Sequence, residues 1–205
     1  MPLKSNVSLT FLASCLFAAP AFAGYEYPLP SPEIRNAYFL GQRDDSQTAE
    51  FLSPYALKFT KSQTGDYVIT EVDVLTPYVQ VIQRGARQTP GDSEVQTETD
   101  LVAHPFRFIV KVVVAYSYSH IAHIGPANDS SRGTGQDFSV QAGQAHELTT
   151  LGMTKAGFGW KHCPCGVILT AEFDASNVAS APMHITVHTP DGRSASADFD
   201  LSKLK

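Results

Sequence analysis

One long run of alternating side chains limits the folds open to this chain more than any other feature. Across residues 106–119 an apolar side chain occupies every second position, from Phe106 and Phe108 through to Tyr116 and Tyr118. Because side chains of a β-strand point alternately to opposite faces, this period of two predicts a long strand with one buried face. The strength of the pattern favours a central position in a sheet.

Shorter segments with the same period, rich in β-branched residues, predict further strands. The closing pair flanks Pro190, Asp191 and Gly192 and is expected to form a hairpin. Two others, 67–75 and 78–83, are separated only by Thr76 and Pro77. The predicted strands are 67–75, 78–83, 138–141, 167–173, 183–189 and 194–201.

Helix-start signals are concentrated near the N-terminal end. Ser31 followed by Pro32 places a capping hydroxyl before a proline at the first helical position, so a helix is expected over about 32–42. A second helix over 46–52 is expected after Asp45 or Ser46, and a third over 93–103 after Asp92.

These elements predict the fold class. We expect a mainly β, α+β protein, an antiparallel sandwich-like domain with one or two N-terminal helices at about residues 32–53. The pattern contains no alternation of strands and helices of the kind that builds a parallel sheet.

The first 23 residues have the pattern of a signal peptide. Lys4 precedes an apolar stretch over residues 7–22, and Ala21-Phe22-Ala23 before Gly24 fits signal-peptidase cleavage. We therefore expect an exported protein, periplasmic or secreted, whose mature chain is one β-rich domain over residues 24–205.

A second processing site overlaps this leader, because Leu12-Ala13-Ser14-Cys15 also fits bacterial lipoprotein cleavage. Cleavage before Cys15 leaves the apolar residues 16–22 at the start of the mature chain, where a polar tether is expected. Soluble release after Ala23 is therefore the favoured interpretation, with a lipid anchor at Cys15 as the alternative.

The net charge of the chain excludes some classes of binding partner. The formal net charge is −5, which argues against nucleic acid and against an anionic membrane surface, since both favour basic proteins. No transmembrane helix is expected in the mature chain, and the sequence does not identify a partner. Charged residues make up 17% of the chain, fewer than in most soluble domains, which is typical of an exported β-protein.

Three stretches carry a resemblance to known proteins. They are IRNAYFLGQR at residues 34–43, LTPY at residues 75–78 and TPDG at residues 189–192. In these stretches the chain resembles a group of uncharacterised exported bacterial proteins. The resemblance implies a bacterial origin and export, and it implies no catalytic residue.

The densest cluster of reactive side chains is His162, Cys163 and Cys165. Thiolate and imidazole ligands suit copper or zinc, and His120, His123 or His146 is available to complete a coordination shell. The alternatives are a disulfide between Cys163 and Cys165, two reduced thiols, or a redox-active pair. Zinc knuckles use Cys-x2-Cys pairs that occur twice, and this spacing is Cys-x-Cys.

Other candidate groups have simpler interpretations. His184 and His188 share a strand face but lie too far apart for one ion, and Gly91-Asp92-Ser93 is expected to cap a helix. Glu71 and Asp73 share a strand face, as an acid–base pair does and as a solvated face does.

No complete catalytic motif is recognised in the sequence, so whether the protein is an enzyme stays open. The leading hypothesis is a non-enzymatic binding or structural module of the cell envelope. The alternative is a metal-binding or thiol-redox protein centred on His162, Cys163 and Cys165.

Overall fold

The structure is a computed structural model that describes residues 24–43, 45–59, 65–87, 93–104, 106–118, 120–121, 137–160 and 163–205. The predicted leader and Asp92 lie outside the described residues. Within those ranges the chain forms four α-helices and eight strands. They are α1 (Ser31–Arg43), α2 (Ser46–Leu52), β1 (Ala56–Lys58), β2 (Tyr67–Leu75), α3 (Pro77–Arg87), α4 (Glu94–Ala103), β3 (Phe108–Tyr116), β4 (Ser139–Gly143), β5 (Thr150–Trp160), β6 (Cys163–Phe173), β7 (Pro182–His188) and β8 (Ser194–Asp200).

The larger sheet has five antiparallel strands in the order β1-β2-β3-β6-β5. The alternating run forms β3, which lies in the middle of this sheet as predicted. In the register, Val112 of β3 lies opposite Val72 of β2 on one side and Leu169 of β6 on the other. All three side chains are buried, so the inner face of this sheet is continuous across its central strands.

The smaller sheet has the order β4-β7-β8 and packs against the inner face of the larger one. Its buried side chains include Val140, Ile185 and Phe199, which share one hydrophobic core with β2, β3 and β6. Strands β7 and β8 form the predicted hairpin around Pro190, Asp191 and Gly192. Two antiparallel sheets around one core, with helices toward the N-terminal end, confirm the predicted fold class.

Helices α1 and α3 form a second, smaller core. Their contact is close because each helix presents a glycine to the backbone of the other. A Cβ on Gly41 would lie 2.0 Å from the Ile82 carbonyl oxygen, and one on Gly85 would lie 2.2 Å from the Tyr38 carbonyl oxygen. No side chain fits there, so the two glycines set how closely the helices approach. The core residues are Ile34, Ala37, Tyr38, Tyr78, Val81 and Ile82.

The prediction of a strand over residues 78–83 is wrong, because this segment is the start of α3. Thr76 and Pro77 repeat the signal seen at Ser31 and Pro32: the Thr76 hydroxyl accepts a hydrogen bond from the Val79 N–H at 3.3 Å. Tyr78, Ile82 and Gly85 then fall on one helical face, which packs on α1. The cap and the buried helical face therefore make residues 78–83 helical, although their β-branched side chains favour a strand.

The helices predicted over 32–42, 46–52 and 93–103 are present, but the cap predicted for the first is wrong. Ser31 is already the first residue of α1, and its hydroxyl donates to Glu98 instead of accepting from the first turn. The N–H groups of Glu33 and Ile34 donate to the Pro30 carbonyl.

Asp45 caps α2 through its carboxylate, which accepts from the N–H groups of Gln47 and Thr48. Ser93 caps α4 by accepting from the Gln96 N–H. Strands β1 and β5 were not predicted, and β5 in particular carries three glycines that interrupt its pattern. Among the described residues, no helix is long and apolar enough to cross a membrane.

Candidate functional site

The predicted cysteine cluster lies where β5 and β6 meet. Trp160 is paired with Cys163 at that end of the two strands. His162 and the side chain of Cys163 lie outside the described part of the chain, so neither the metal site nor the disulfide is tested and both stay predictions. Within the described ranges, no group of three His, Cys, Asp or Glu residues is placed to hold a metal ion.

Of the two described histidines proposed to complete this site, His120 lies nearer to it. The last paired residues of β3 and β6 are Ala115 and Gly166, so Tyr116 and Cys165 follow on neighbouring strands. The His120 ring packs against the Tyr116 ring, with centroids 5.1 Å apart. His120 therefore belongs to the same end of the sheet as Cys165.

His146 lies at the opposite end of the larger sheet. His146 precedes Thr150, which pairs with Phe173 at the far end of β6. At about 3.3 Å per residue, the ten steps from Cys163 to Phe173 span about 33 Å, far beyond any coordination distance. His123 lies outside the described residues.

An aromatic cluster surrounds His120. Tyr67 contacts His120, Tyr116 and Phe138, with ring centroids 4.7–5.8 Å apart. Burial raises the pKa of the Tyr67 hydroxyl to about 12, and the neighbouring Tyr116 and Asp66 act in the same direction. At neutral pH this hydroxyl stays protonated, so the cluster offers hydrogen-bond donors and ring faces but no phenolate.

The histidines of the closing hairpin lie apart from this cluster on the outer side of the smaller sheet. His184 Nδ1 lies 2.7 Å from Asp198 Oδ1, and both side chains are exposed. His188 lies 3.4 Å from Gln141. These are partly solvated cross-strand pairs, as the even spacing predicted.

The two carboxylates of β2 form a more constrained pair than a solvated strand face. Asp73 is only 7% exposed and its Oδ2 accepts from Lys111 Nζ at 2.9 Å. Its Oδ1 has no hydrogen-bond partner among the described residues. Burial and then the neighbouring Asp73 raise the pKa of Glu71, while Lys58 and Lys111 oppose them. A hydrogen bond between the two carboxyl groups contributes to this raised pKa, so a protonated Glu71 acts as a donor to Asp73.

A groove of about 450 Å³ runs between α3 and the outer face of the larger sheet. Three cations line it: Arg84, Arg87 and Lys111. Two of them are already paired, because Arg84 contacts Asp100 at 2.5 Å and Lys111 contacts Asp73. Arg87 forms no ion pair with a described residue, so the groove keeps one uncompensated positive charge.

A largely apolar cleft of about 210 Å³ lies among the N-terminal segment, α1, α4 and the first residue of α3. The N-terminal segment is held by Tyr25, whose hydroxyl donates to the Ala175 carbonyl at 2.8 Å and whose ring packs edge-on against Phe108. Tyr27, Pro28 and Leu29 follow it and form one wall of the cleft.

The opposite walls come from three other elements. Ile34 belongs to α1, Leu101 to α4, and Pro77 begins α3, while Phe106 closes the cleft just before β3. A dry apolar cavity of about 150 Å³ is large enough for benzene, so this cleft has the size for one substituted ring. Ligand sites of proteins are usually concave and apolar in this way.

Two polar side chains interrupt the apolar lining. Ser31 donates a short hydrogen bond to Glu98 Oε1, which joins the first turn of α1 to α4. Glu98 forms no ion pair with a described residue, and none of the described residues lining the cleft is a cation. The cleft thus has an apolar interior and one negative charge at its wall.

The sequence predicted the helices that carry part of this site, but not that its residues come together. Ser31 and Ser93 were recognised as helix starts, and those starts decide which residues of α1 and α4 face the cleft. Nothing in the local patterns indicated that Tyr27, Glu98 and Phe106, separated by up to 79 positions, converge. Convergence of distant segments is a property of tertiary packing.

Fold and site together define an α+β protein of two antiparallel sheets with an apolar cleft at its helical end. No protein-family model, curated protein or solved structure matches the chain.

Proposed function

We propose that this protein is an exported, non-enzymatic binding module of the bacterial cell envelope, periplasmic or secreted, whose ligand site is the apolar cleft. The leader pattern and the resemblance support the location. The cleft supports binding, and it is the observation on which the proposal depends. The N-terminal segment, three helices and Phe106 build its walls, and its volume of about 210 Å³ suits a small ligand.

A neutral aromatic probe tests the site. We expect 2-phenylethanol to bind the purified protein saturably and to shift the NMR signals of the Ile34 and Leu101 methyl groups. Leu101→Trp fills the cleft and is expected to weaken binding at least about tenfold, since it replaces the ligand volume with protein. The milder Leu101→Phe is the second filling variant if the larger ring prevents folding.

The matched control is Leu151→Trp, because Leu151 is 50% exposed on β5 and is not part of the cleft. It adds the same indole elsewhere and leaves binding unchanged. Probe binding that survives both fillings of the cleft contradicts the proposed site.

The second candidate function is metal or thiol-redox chemistry at His162, Cys163 and Cys165. The observation that favours it is that Cys165 and His120 lie at the same end of the larger sheet. Metal analysis of the exported protein, together with thiol counting before and after reduction, separates the candidates. Copper or zinc bound in a one-to-one ratio, and lost on changing Cys163 and Cys165 to Ser, overturns the leading proposal.

A further inference from the structure

The cleft has an electrostatic character that its apolar walls alone do not imply. Its one charged group is Glu98, on α4, and the described residues that line the cleft include no cation. Oε1 of Glu98 accepts from Ser31, and Oε2 has no donor among the described residues. A carboxylate beside apolar surface loses part of its hydration and gains more from a bound cation than it does in water.

Part of this charge has a structural role. Ser31 begins α1, so Glu98 lies at the N-terminal end of that helix, where the dipole is equivalent to about half a positive charge. This compensates the carboxylate only in part. A net negative charge remains at the wall of the cleft, and it repels an anionic ligand.

The aromatic residues in the walls also favour a cationic ligand. Tyr27 and Phe106 bring two aromatic rings to the lining, and an aromatic face attracts an ammonium group. A ring-sized apolar group fits the volume, and a positive charge complements Glu98. We infer that the cleft selects an organic ammonium ion that carries one apolar, ring-sized group; this inference rests on the proposed binding function of the same cleft.

Three probes of one shape and different charge test the inference on the purified protein. They are 2-phenylethylamine, which is cationic, 2-phenylethanol, which is neutral, and phenylacetate, which is anionic. We expect the amine to bind about tenfold more tightly than the alcohol, since a charge-assisted hydrogen bond exceeds a neutral one by roughly that factor. The anion is expected to bind more weakly than the alcohol.

Glu98→Gln isolates the charge, because the amide keeps an oxygen for the Ser31 hydroxyl. We expect it to abolish the preference for the amine and to leave the affinity for the alcohol unchanged. Glu94→Gln is the matched control: it removes a negative charge from the first turn of the same helix, outside the cleft, and the preference persists. If Glu98→Gln does not fold, the salt dependence of the parent protein serves instead, and the preference is expected to shrink as salt rises.

The outcomes separate this inference from the proposed function. Alcohol and amine binding equally in the cleft, or a preference that persists in Glu98→Gln, overturns the ammonium assignment and leaves the binding module standing. Absence of binding by all three probes overturns both.

Discussion

At the scale of single residues, the pair Glu71 and Asp73 is the clearest departure from an ordinary strand surface. Lys111 neutralises one oxygen of Asp73, and the other is buried without a donor among the described residues. Burial and the neighbouring carboxylate both raise the pKa of Glu71. The folded protein therefore holds a proton on Glu71 more tightly than the unfolded chain does.

The raised pKa of Glu71 determines how the free energy of unfolding changes with pH. A carboxyl group whose pKa is raised on folding contributes stability at acid pH, and that contribution is lost as the pH rises through the raised pKa. Above the raised pKa of Glu71 the proton is lost, and two carboxylates lie next to each other. Glu71→Gln removes this repulsion, and its amide N–H can donate to Asp73 Oδ1.

We therefore expect Glu71→Gln to raise the free energy of unfolding at neutral pH and to have little effect at acid pH, as measured by urea denaturation. Glu147→Gln removes the same charge at an exposed position just before β5, where no described carboxylate is paired with it, and serves as the control. A variant that is less stable than the parent at neutral pH, or a pH-independent effect, contradicts the shared proton.

At the scale of elements, α3 determines how the helical end is built. It begins at a Thr-Pro cap and crosses α1 at reciprocal glycines, and its first residue lines the cleft. The same β-branched residues that predicted a strand, Val79 and Val81, are buried in the helix. Helix packing therefore overrides local propensity here.

Gly85→Ala tests how much the close approach of α1 and α3 contributes to stability. The added methyl group meets the Tyr38 backbone, which cannot move without separating α1 from α3. We expect a loss of about 2 kcal/mol in the free energy of unfolding, because overpacking exceeds the gain in helix propensity of about 1 kcal/mol.

The control is Gly152→Ala on β5, where an added Cβ meets nothing within 4 Å. It is expected to leave stability within about 0.5 kcal/mol of the parent. Equal stability of the Gly85 variant and the parent in thermal or urea unfolding shows that the helices do not depend on this contact.

At the scale of the whole molecule, Tyr25 connects parts of the chain that are remote in sequence. Its backbone N–H donates to the Leu201 carbonyl at 2.8 Å, its hydroxyl reaches Ala175, and its ring packs on Phe108. The segment it holds continues directly into the wall of the cleft. The N-terminal segment thus links the β-sandwich to the proposed binding site.

Two substitutions at Tyr25 separate the contribution of its hydroxyl group from that of its ring. Tyr25→Phe removes one buried hydrogen bond and is expected to cost about 1 kcal/mol with the cleft intact. Tyr25→Ala also removes the ring, and we expect a cost of about 3–5 kcal/mol and weaker binding of 2-phenylethanol, because the segment loses its anchor. Denaturation and probe titration measure the two effects, and equal behaviour of the two variants would show that the ring does not hold the segment.

The sequence by itself determined the elements whose signals are local. The period of two in β3, the Ser-Pro start of α1, the cap of α2, and the Pro-Asp-Gly turn between β7 and β8 each depend on a few neighbouring residues. Together they were enough to establish an antiparallel α+β fold. Only the tertiary structure decided that residues 78–83 join a helix and that β5, with its three glycines, forms an edge of the sheet.

The candidate site was decided almost wholly at the tertiary level. Tyr27, Glu98 and Phe106 form one cleft because α1, α3 and α4 pack around the N-terminal segment, and no local pattern records that packing. Glu71 and Asp73 were recognised as sharing a face, but the burial of Asp73 depends on neighbours in space. Local backbone preferences depend on adjacent residues and can be read from the sequence. Burial and charge balance depend on residues that meet only when the chain folds.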